Sequence, residues 1–172
     1  VAVGDRVRFE TDMDDAADIT LTHPALITEV LDRKNYVIRK STNLSRQSHV
    51  IAANIDMAFA VVTLYFPEIK LPFLDRMLVT CEVYGVPVTI VMNKVDLSGK
   101  EAPEAVDNFI NIYTKAGYRV VQASAKTGEG IDGLRSICDG KVCLFSGESG
   151  VGKSSLIKAL DPSLDPKIGK IS

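Results

Sequence analysis

Gly147-Glu148-Ser149-Gly150-Val151-Gly152-Lys153-Ser154 is the stretch on which the reading of this chain turns. It fits the pattern G-x-x-x-x-G-K-[ST] and directly follows the apolar run Val142-Cys143-Leu144-Phe145, which reads as a strand. Residues 153–160 read as the opening of a helix. The spacing has a physical reason. Glycines let the backbone wrap closely, so that successive N–H groups converge on an anion. The helix that follows adds the partial positive charge of its N-terminus. Lys153 is then expected to reach the β- and γ-phosphates of a nucleotide and stabilise charge on the transferring phosphoryl group, with the Ser154 hydroxyl ligating Mg²⁺. Expected phosphate contacts are Gly147, Glu148, Ser149, Gly150, Val151, Gly152, Lys153, Ser154 and Ser155.

Outward from this loop the chain alternates strands and helices. Residues 55–63 form a continuous apolar run, as in a strand covered on both faces. Residues 71–84 read as a helix, 86–92 as a second buried strand, and 102–116 as a helix with Val106, Phe109, Ile110 and Tyr113 at helical spacing. A strand at 118–122, a short helix at 131–138 and the strand at 142–145 complete the series. Such alternation predicts a mostly parallel α/β sheet with helices on both faces. Ligands of such sheets sit at the carboxyl ends of the strands.

Two further motifs fall at strand ends. Asn93-Lys94-Val95-Asp96 closes the strand at 86–92. The Asp96 carboxylate can accept hydrogen bonds from guanine N1–H and from its exocyclic amine, a pair of donors that adenine lacks. A wrong base leaves that carboxylate unpaired and is rejected. Asn93 can tie the base edge to neighbouring loops, and the stem of Lys94 can lie over the ring face. One strand–helix unit later comes Ser124-Ala125-Lys126, where a small residue lets a backbone N–H approach guanine O6. Each motif alone is also compatible with a solvated turn; together they point to a guanine nucleotide, GTP or GDP.

The first fifty residues differ. Residues 3–10 alternate apolar and polar side chains, and 25–31 and 35–39 are two further strand candidates joined by a turn around Asp32-Arg33-Lys34. Short strands without a helix suggest part of a small β-barrel. Residues 40–49, rich in Ser, Asn and Gln, read as a linker. The expected division is therefore 1–48, a partial barrel with its linker, and 49–172, the nucleotide-binding domain. Over 172 residues the formal net charge is −2, which argues against bulk attraction to nucleic acid. Local charge is uneven: Arg33, Lys34, Arg39, Lys40 and Arg46 form a basic stretch, and residues 12–18 hold four aspartates. Cys81, Cys138 and Cys143 offer no C-x-x-C pair and read as reduced, mostly buried thiols of a cytoplasmic protein. No basic-then-apolar leader opens the sequence and no apolar run approaches a membrane span, so no membrane partner is expected.

The three motifs are the G4, G5 and G1 elements of the GTPase superfamily in an unusual order. Asn93–Asp96 and Ser124-Ala125-Lys126 precede the phosphate loop, so the domain resembles a circularly permuted GTPase. The chain is similar to the RsgA (YjeQ) family over nearly its whole length. The similarity includes Val3-Gly4-Asp5-Arg6-Val7, Arg39-Lys40-Ser41, Ala52-Ala53-Asn54-Ile55-Asp56, Asp75-Arg76, and the run from Phe145 through Leu156. The resemblance implies an OB-fold, then a permuted GTPase, then a zinc-binding domain. It further implies a factor for late maturation of the small ribosomal subunit, with GTP hydrolysis stimulated by that subunit; the chain is expected to be a monomer. The basic stretch from Arg33 to Arg46 is then an expected rRNA contact. No switch threonine or D-x-x-G element follows the phosphate loop, and no Cys/His zinc cluster occurs, so the sequence is read as a segment, with Zn²⁺ belonging to a domain outside it and little turnover expected from the segment alone. Two alternatives stay open: a P-loop ATPase or kinase in which N-K-V-D is accidental, and an RNA-binding module holding nucleotide as a structural ligand.

Overall fold

The computed structural model describes residues 1–11, 20, 24–40 and 48–164. They fall into two units, Val1–Ile55 and Asp56–Ser172. The expected division at 48/49 lies seven residues earlier, for a simple reason. Strand β4 (Ser48–Ala53) pairs with β3 (Tyr36–Lys40) and so stays with the first unit.

In the second unit, β5 (Met57–Val62), β6 (Val88–Met92), β7 (Arg119–Gln122) and β8 (Cys143–Ser146) form one sheet in the order β7-β6-β5-β8. All three pairings are parallel. Strand side chains alternate between faces, and each face has its own helices. Ala60, Val62, Ile90 and Met92 pack with Leu74 and Leu78 of α1 (Leu71–Val83) and with Val106, Phe109 and Tyr113 of α3 (Pro103–Lys115). Phe59, Val61 and Val91 pack with Ile131, Leu134 and Ile137 of α4 (Ile131–Cys138) and with Leu156 of α5 (Lys153–Leu160). Each large side chain buried in this way contributes about 1.5–3 kcal/mol. The α/β sheet with helices on both faces is as predicted, and α4 and α5 keep their predicted bounds.

One element was missed. α2 (Val95–Glu101) begins inside the Asn93–Asp96 motif and carries Gly99 in its interior, a residue that disfavours helix by about 1 kcal/mol. Packing overrides that preference, because Val95 and Ser98 are buried.

The first unit holds two antiparallel ribbons, β1 (Val7–Glu10) with β2 (Leu26–Val30), and β3 with β4. β2 and β3, expected to be connected around residues 32–34, are consecutive in the chain, and each takes a different partner. The expected linker over 40–49 is also corrected at its ends. Lys40 closes β3 and Ser48 opens β4, while 41–47 lie outside the described residues. Among the described residues the strands form ribbons, not a closed barrel. What ties this unit together is polar. Asn35, 7% exposed, donates to the Ile55 carbonyl and accepts from the Ile55 N–H. Asn54 donates from Nδ2 to the Gly4 carbonyl at 2.9 Å. Gly4, at φ +88°, leaves no room for a Cβ against the Ala53 carbonyl. These contacts explain why Val3-Gly4-Asp5 and Ala52-Ala53-Asn54 are specific stretches: each is the other's socket.

Arg33 forks onto Asp5, with Nε to Oδ1 at 2.6 Å and Nη2 to Oδ2 at 2.9 Å. That guanidinium holds the Asp5 carboxyl well below the usual carboxylate range, helped by the Ala2 N–H. Arg33 is thus committed inside its own unit. Of the rest of the expected basic patch, the side chains of Arg39 and Lys40 and all of Arg46 lie outside the described residues, as does the acidic run at 12–18. Among the described residues no helix is long and apolar enough to cross a membrane. The three cysteines are free thiols, Cys81 buried and Cys138 and Cys143 half-buried.

Candidate nucleotide site

Because the sheet is parallel, the residues after β6, β7 and β8 emerge at one edge. Asn93 follows β6, Ser124 follows β7 by one residue, and Gly147 follows β8. The three predicted motifs are therefore neighbours, and hydrogen bonds join them.

The phosphate loop is shaped by its glycines. Gly150 lies at φ +84° and Gly152 at φ +89°, the left-handed region where a Cβ is costly. Gly152 is the N-cap of α5, and a Cβ there would run into the Asn93 amide. A Cβ on Gly147 would collide with the Val61 carbonyl of the neighbouring strand. The Lys153 ammonium curls into the loop and donates to the carbonyls of Gly147 at 2.9 Å and Glu148 at 2.6 Å. Burial pushes its pKa down from the ordinary lysine value. Ser154 and Ser155 are half-buried in the first turn of α5, Val151 is buried, and Ser149 is exposed.

Asn93 is the hub. Its side chain is buried, 2% exposed, and donates from Nδ2 to the Val151 carbonyl of the phosphate loop at 2.8 Å. Its Oδ1 accepts from the Ala125 N–H at 3.3 Å. One amide thereby bridges the phosphate loop and the 124–126 loop. The Ala125 N–H, one of the backbone donors of the loop expected to approach guanine O6, is turned to Asn93 here, through a long bond.

Lys94 sits at φ +62°, capping α2 in the left-handed conformation. Its ammonium donates to the Gly150 carbonyl at 2.9 Å and to the Phe66 carbonyl at 2.5 Å. Burial lowers its pKa, against the opposing charge of Asp96. Asp96 is in the first turn of α2, where its charge suits the helix dipole. Its Oδ1 accepts from the Ser124 hydroxyl at 2.7 Å. Ser124 is fully buried and its Oγ also accepts from the Thr127 N–H at 3.2 Å. One Asp96 oxygen is thus oriented by Ser124.

Beside these residues lies a cleft of ≈ 370 Å³, lined by Asn93, Lys94, Asp96, Leu97, Ser124, Ala125, Lys126, Gly152 and Ser155. That volume falls within the range of small-ligand sites. Every predicted base-site residue except Val95 borders it; Val95 is buried beneath α2. Leu97 was not foreseen, since its position depends on the helix that was missed. The segment 64–70 was also unassigned, although Phe66 and Lys70 both touch the motifs.

A parallel sheet whose phosphate loop follows the last strand, with the base-side loops on earlier strands, defines a P-loop protein of the circularly permuted GTPase class. The RsgA GTPase family profile matches residues 30–172. The chain belongs to that family. Curated relatives include the small ribosomal subunit biogenesis GTPase RsgA of Bacteroides fragilis, 48% identical over all 172 residues and 53% of the relative. RsgA 2 of Bacteroides thetaiotaomicron is 46% identical with the same coverage. Among solved structures, YjeQ from Thermotoga maritima aligns with a TM-score of 0.74 and 34% identity, over 97% of this chain and 53% of that one. YloQ, a circularly permuted GTPase, aligns with a TM-score of 0.65 and 26% identity, over 94% of this chain and 50% of that one. The chain spans about half the length of the curated relatives it matches.

Proposed function

We propose that this chain binds GTP and GDP and supplies the base- and phosphate-binding half of a GTP-hydrolysing factor for small ribosomal subunit maturation. The observation that carries the reading is the buried Asn93 amide, which joins the phosphate loop to the 124–126 loop beside the cleft that Asp96 borders. Accidental motifs have no reason to share one buried side chain.

In this reading the Asp96 carboxylate, oriented by Ser124, receives guanine N1–H and the exocyclic amine. A backbone N–H of the 124–126 loop meets O6, and the Lys94 stem covers the ring. The N–H groups of residues 148–153 surround the β-phosphate. Lys153 leaves its loop carbonyls for the phosphates and stabilises charge that builds on the transferring group. The site also suits Mg²⁺. Such an ion needs few protein ligands, and Ser154, half-buried in the first turn of α5, would hold it through its hydroxyl. When bound, the ion would neutralise charge on the phosphates.

The names of the relatives support the ribosomal role. The ribbons of the first unit are read as part of an OB-fold that meets rRNA, and the protein as a cytoplasmic monomer. Zinc belongs, in this reading, to a further domain. Calorimetric titration with GDP and ADP tests the base assignment: GDP is expected to bind far more tightly, and equal affinities refute it. Multiple-turnover GTP hydrolysis by the full-length protein, with and without small ribosomal subunits, tests the role. Stimulation is expected, and its absence counts against the ribosomal assignment.

A further inference from the structure

The segment 63–70, between β5 and α1, carries none of the nucleotide motifs, yet it touches both halves of the site. The Phe66 carbonyl accepts from Lys94. Lys70 Nζ pairs with Glu148 Oε1 at 3.0 Å. The turn that delivers Lys70 is pinned by the Thr63 hydroxyl, which donates to the Pro67 carbonyl at 2.7 Å.

Two features of this ion pair run against local electrostatics. Glu148 is the second residue of the phosphate loop, where a negative side chain opposes the anion that the loop is shaped to receive. Its carboxylate is not dispersed into solvent, since the side chain is only 22% exposed. Lys70 is the N-cap of α1, the helix end where a cation is disfavoured. Its side chain makes no capping hydrogen bond, and the first turn of α1 has no acidic residue to offset it. Each charge is misplaced by its own element and explained by the other. With its side chain 72% exposed, Lys70 adds little to folding stability through this pair. Its effect falls on the potential at the loop instead.

We infer that Lys70 is a positioning residue for the phosphate site: by neutralising Glu148 it keeps the loop attractive to a polyphosphate. The inference rests on the nucleotide reading above. It makes affinity depend on Lys70 in proportion to ligand charge, so that GTP is affected more than GDP and GDP more than GMP.

The test is calorimetric titration of the full chain with GMP, GDP and GTP at low and high salt, for the unmutated protein, Lys70→Ala, Lys70→Arg and Lys70→Ala/Glu148→Gln. Lys70→Ala is expected to weaken GDP binding about three- to tenfold at low salt, GTP binding more, and to lose much of the difference at high salt. Its thermal midpoint should match the parent, which separates the effect from unfolding. Lys70→Arg should bind close to the parent. The double variant should bind more tightly than Lys70→Ala, because the uncompensated charge is gone. GDP affinity unchanged in Lys70→Ala, or a double variant no better than the single one, overturns the inference and leaves the nucleotide reading intact. No GDP binding by the unmutated chain overturns both.

Discussion

Replacing Asn93 by Ala removes a side chain that joins the phosphate loop to the 124–126 loop. Two backbone groups lose their partner: the Val151 carbonyl, bonded at 2.8 Å, and the Ala125 N–H, bonded at 3.3 Å. The bond to the Val151 carbonyl is buried with Asn93, itself 2% exposed, whereas the Ala125 N–H is half-buried at the edge of the cleft. An orphaned buried polar group costs about 1–3 kcal/mol, and the longer bond belongs at the bottom of that range. The sum is about 2–4 kcal/mol of unfolding free energy. For a unit of this size that corresponds to a fall in thermal midpoint of about 6–15 °C. Urea unfolding followed by circular dichroism measures it, with an unchanged slope showing that the native state is equally compact. Asn93→Asp is the sharper control. It preserves shape and the acceptor toward Ala125 but sets a carboxylate oxygen against the Val151 carbonyl, so it should be at least as damaging as Ala. Either variant within about 0.5 kcal/mol of the parent would refute the bridging role of Asn93.

Three other outcomes follow from the geometry. Asp96→Asn, in the half-buried first turn of α2, should leave the fold intact yet weaken GDP binding about a hundredfold, measured by calorimetry; unchanged affinity would remove Asp96 from the base site. Gly147→Ala should cost about 1–3 kcal/mol, read from urea unfolding, because its Cβ meets the Val61 carbonyl, a backbone atom of the central strand that cannot step aside. Stability should also fall at alkaline pH. Burial, with the neighbouring Glu82 charge, pushes the Cys81 thiol up from 9.0 to about 11. Burial and the hydrogen bond to Asp75 raise Tyr113 above the usual 10.0. Both are acids whose neutral form is favoured by folding, so their contribution is complete below the unfolded values and is lost as pH rises through the folded ones. Unfolding free energy should therefore decline above about pH 9, and Tyr113→Phe should flatten the part of that decline above about pH 10. A profile flat to pH 11 would contradict both assignments.

Much of the second unit was legible because its signals are local and redundant. The apolar run of β5, the helical spacing in α3 and the loop glycines each restrict the backbone within a few residues. Legibility failed where structure depends on distant partners. Gly99 argues against a helix that Val95 and Ser98 secure by burial. The polar composition of residues 40–49 argues against strand ends that pairing supplies. In the first unit, alternation identified strand-forming stretches, but pairing is a contact between segments, so the partners of β2 and β3 could not be read from it.

The site divides in the same way. Residue identity set the chemistry: a carboxylate that can accept two donors, a lysine and serine at the start of a helix, and glycines where the backbone must turn. The order of the motifs along the chain already implied permutation, because order is a property of sequence. Only the parallel sheet brings the ends of β6, β7 and β8 to one edge, and only there can one buried amide reach both Val151 and Ala125. The roles of Leu97, Phe66 and Lys70 arise in the same way. None carries a motif, and each gains its place from elements that close around the loop. Sequence specified which groups could bind a guanine nucleotide; tertiary structure decided which groups hold them in place, since that depends on distances between residues far apart in the chain.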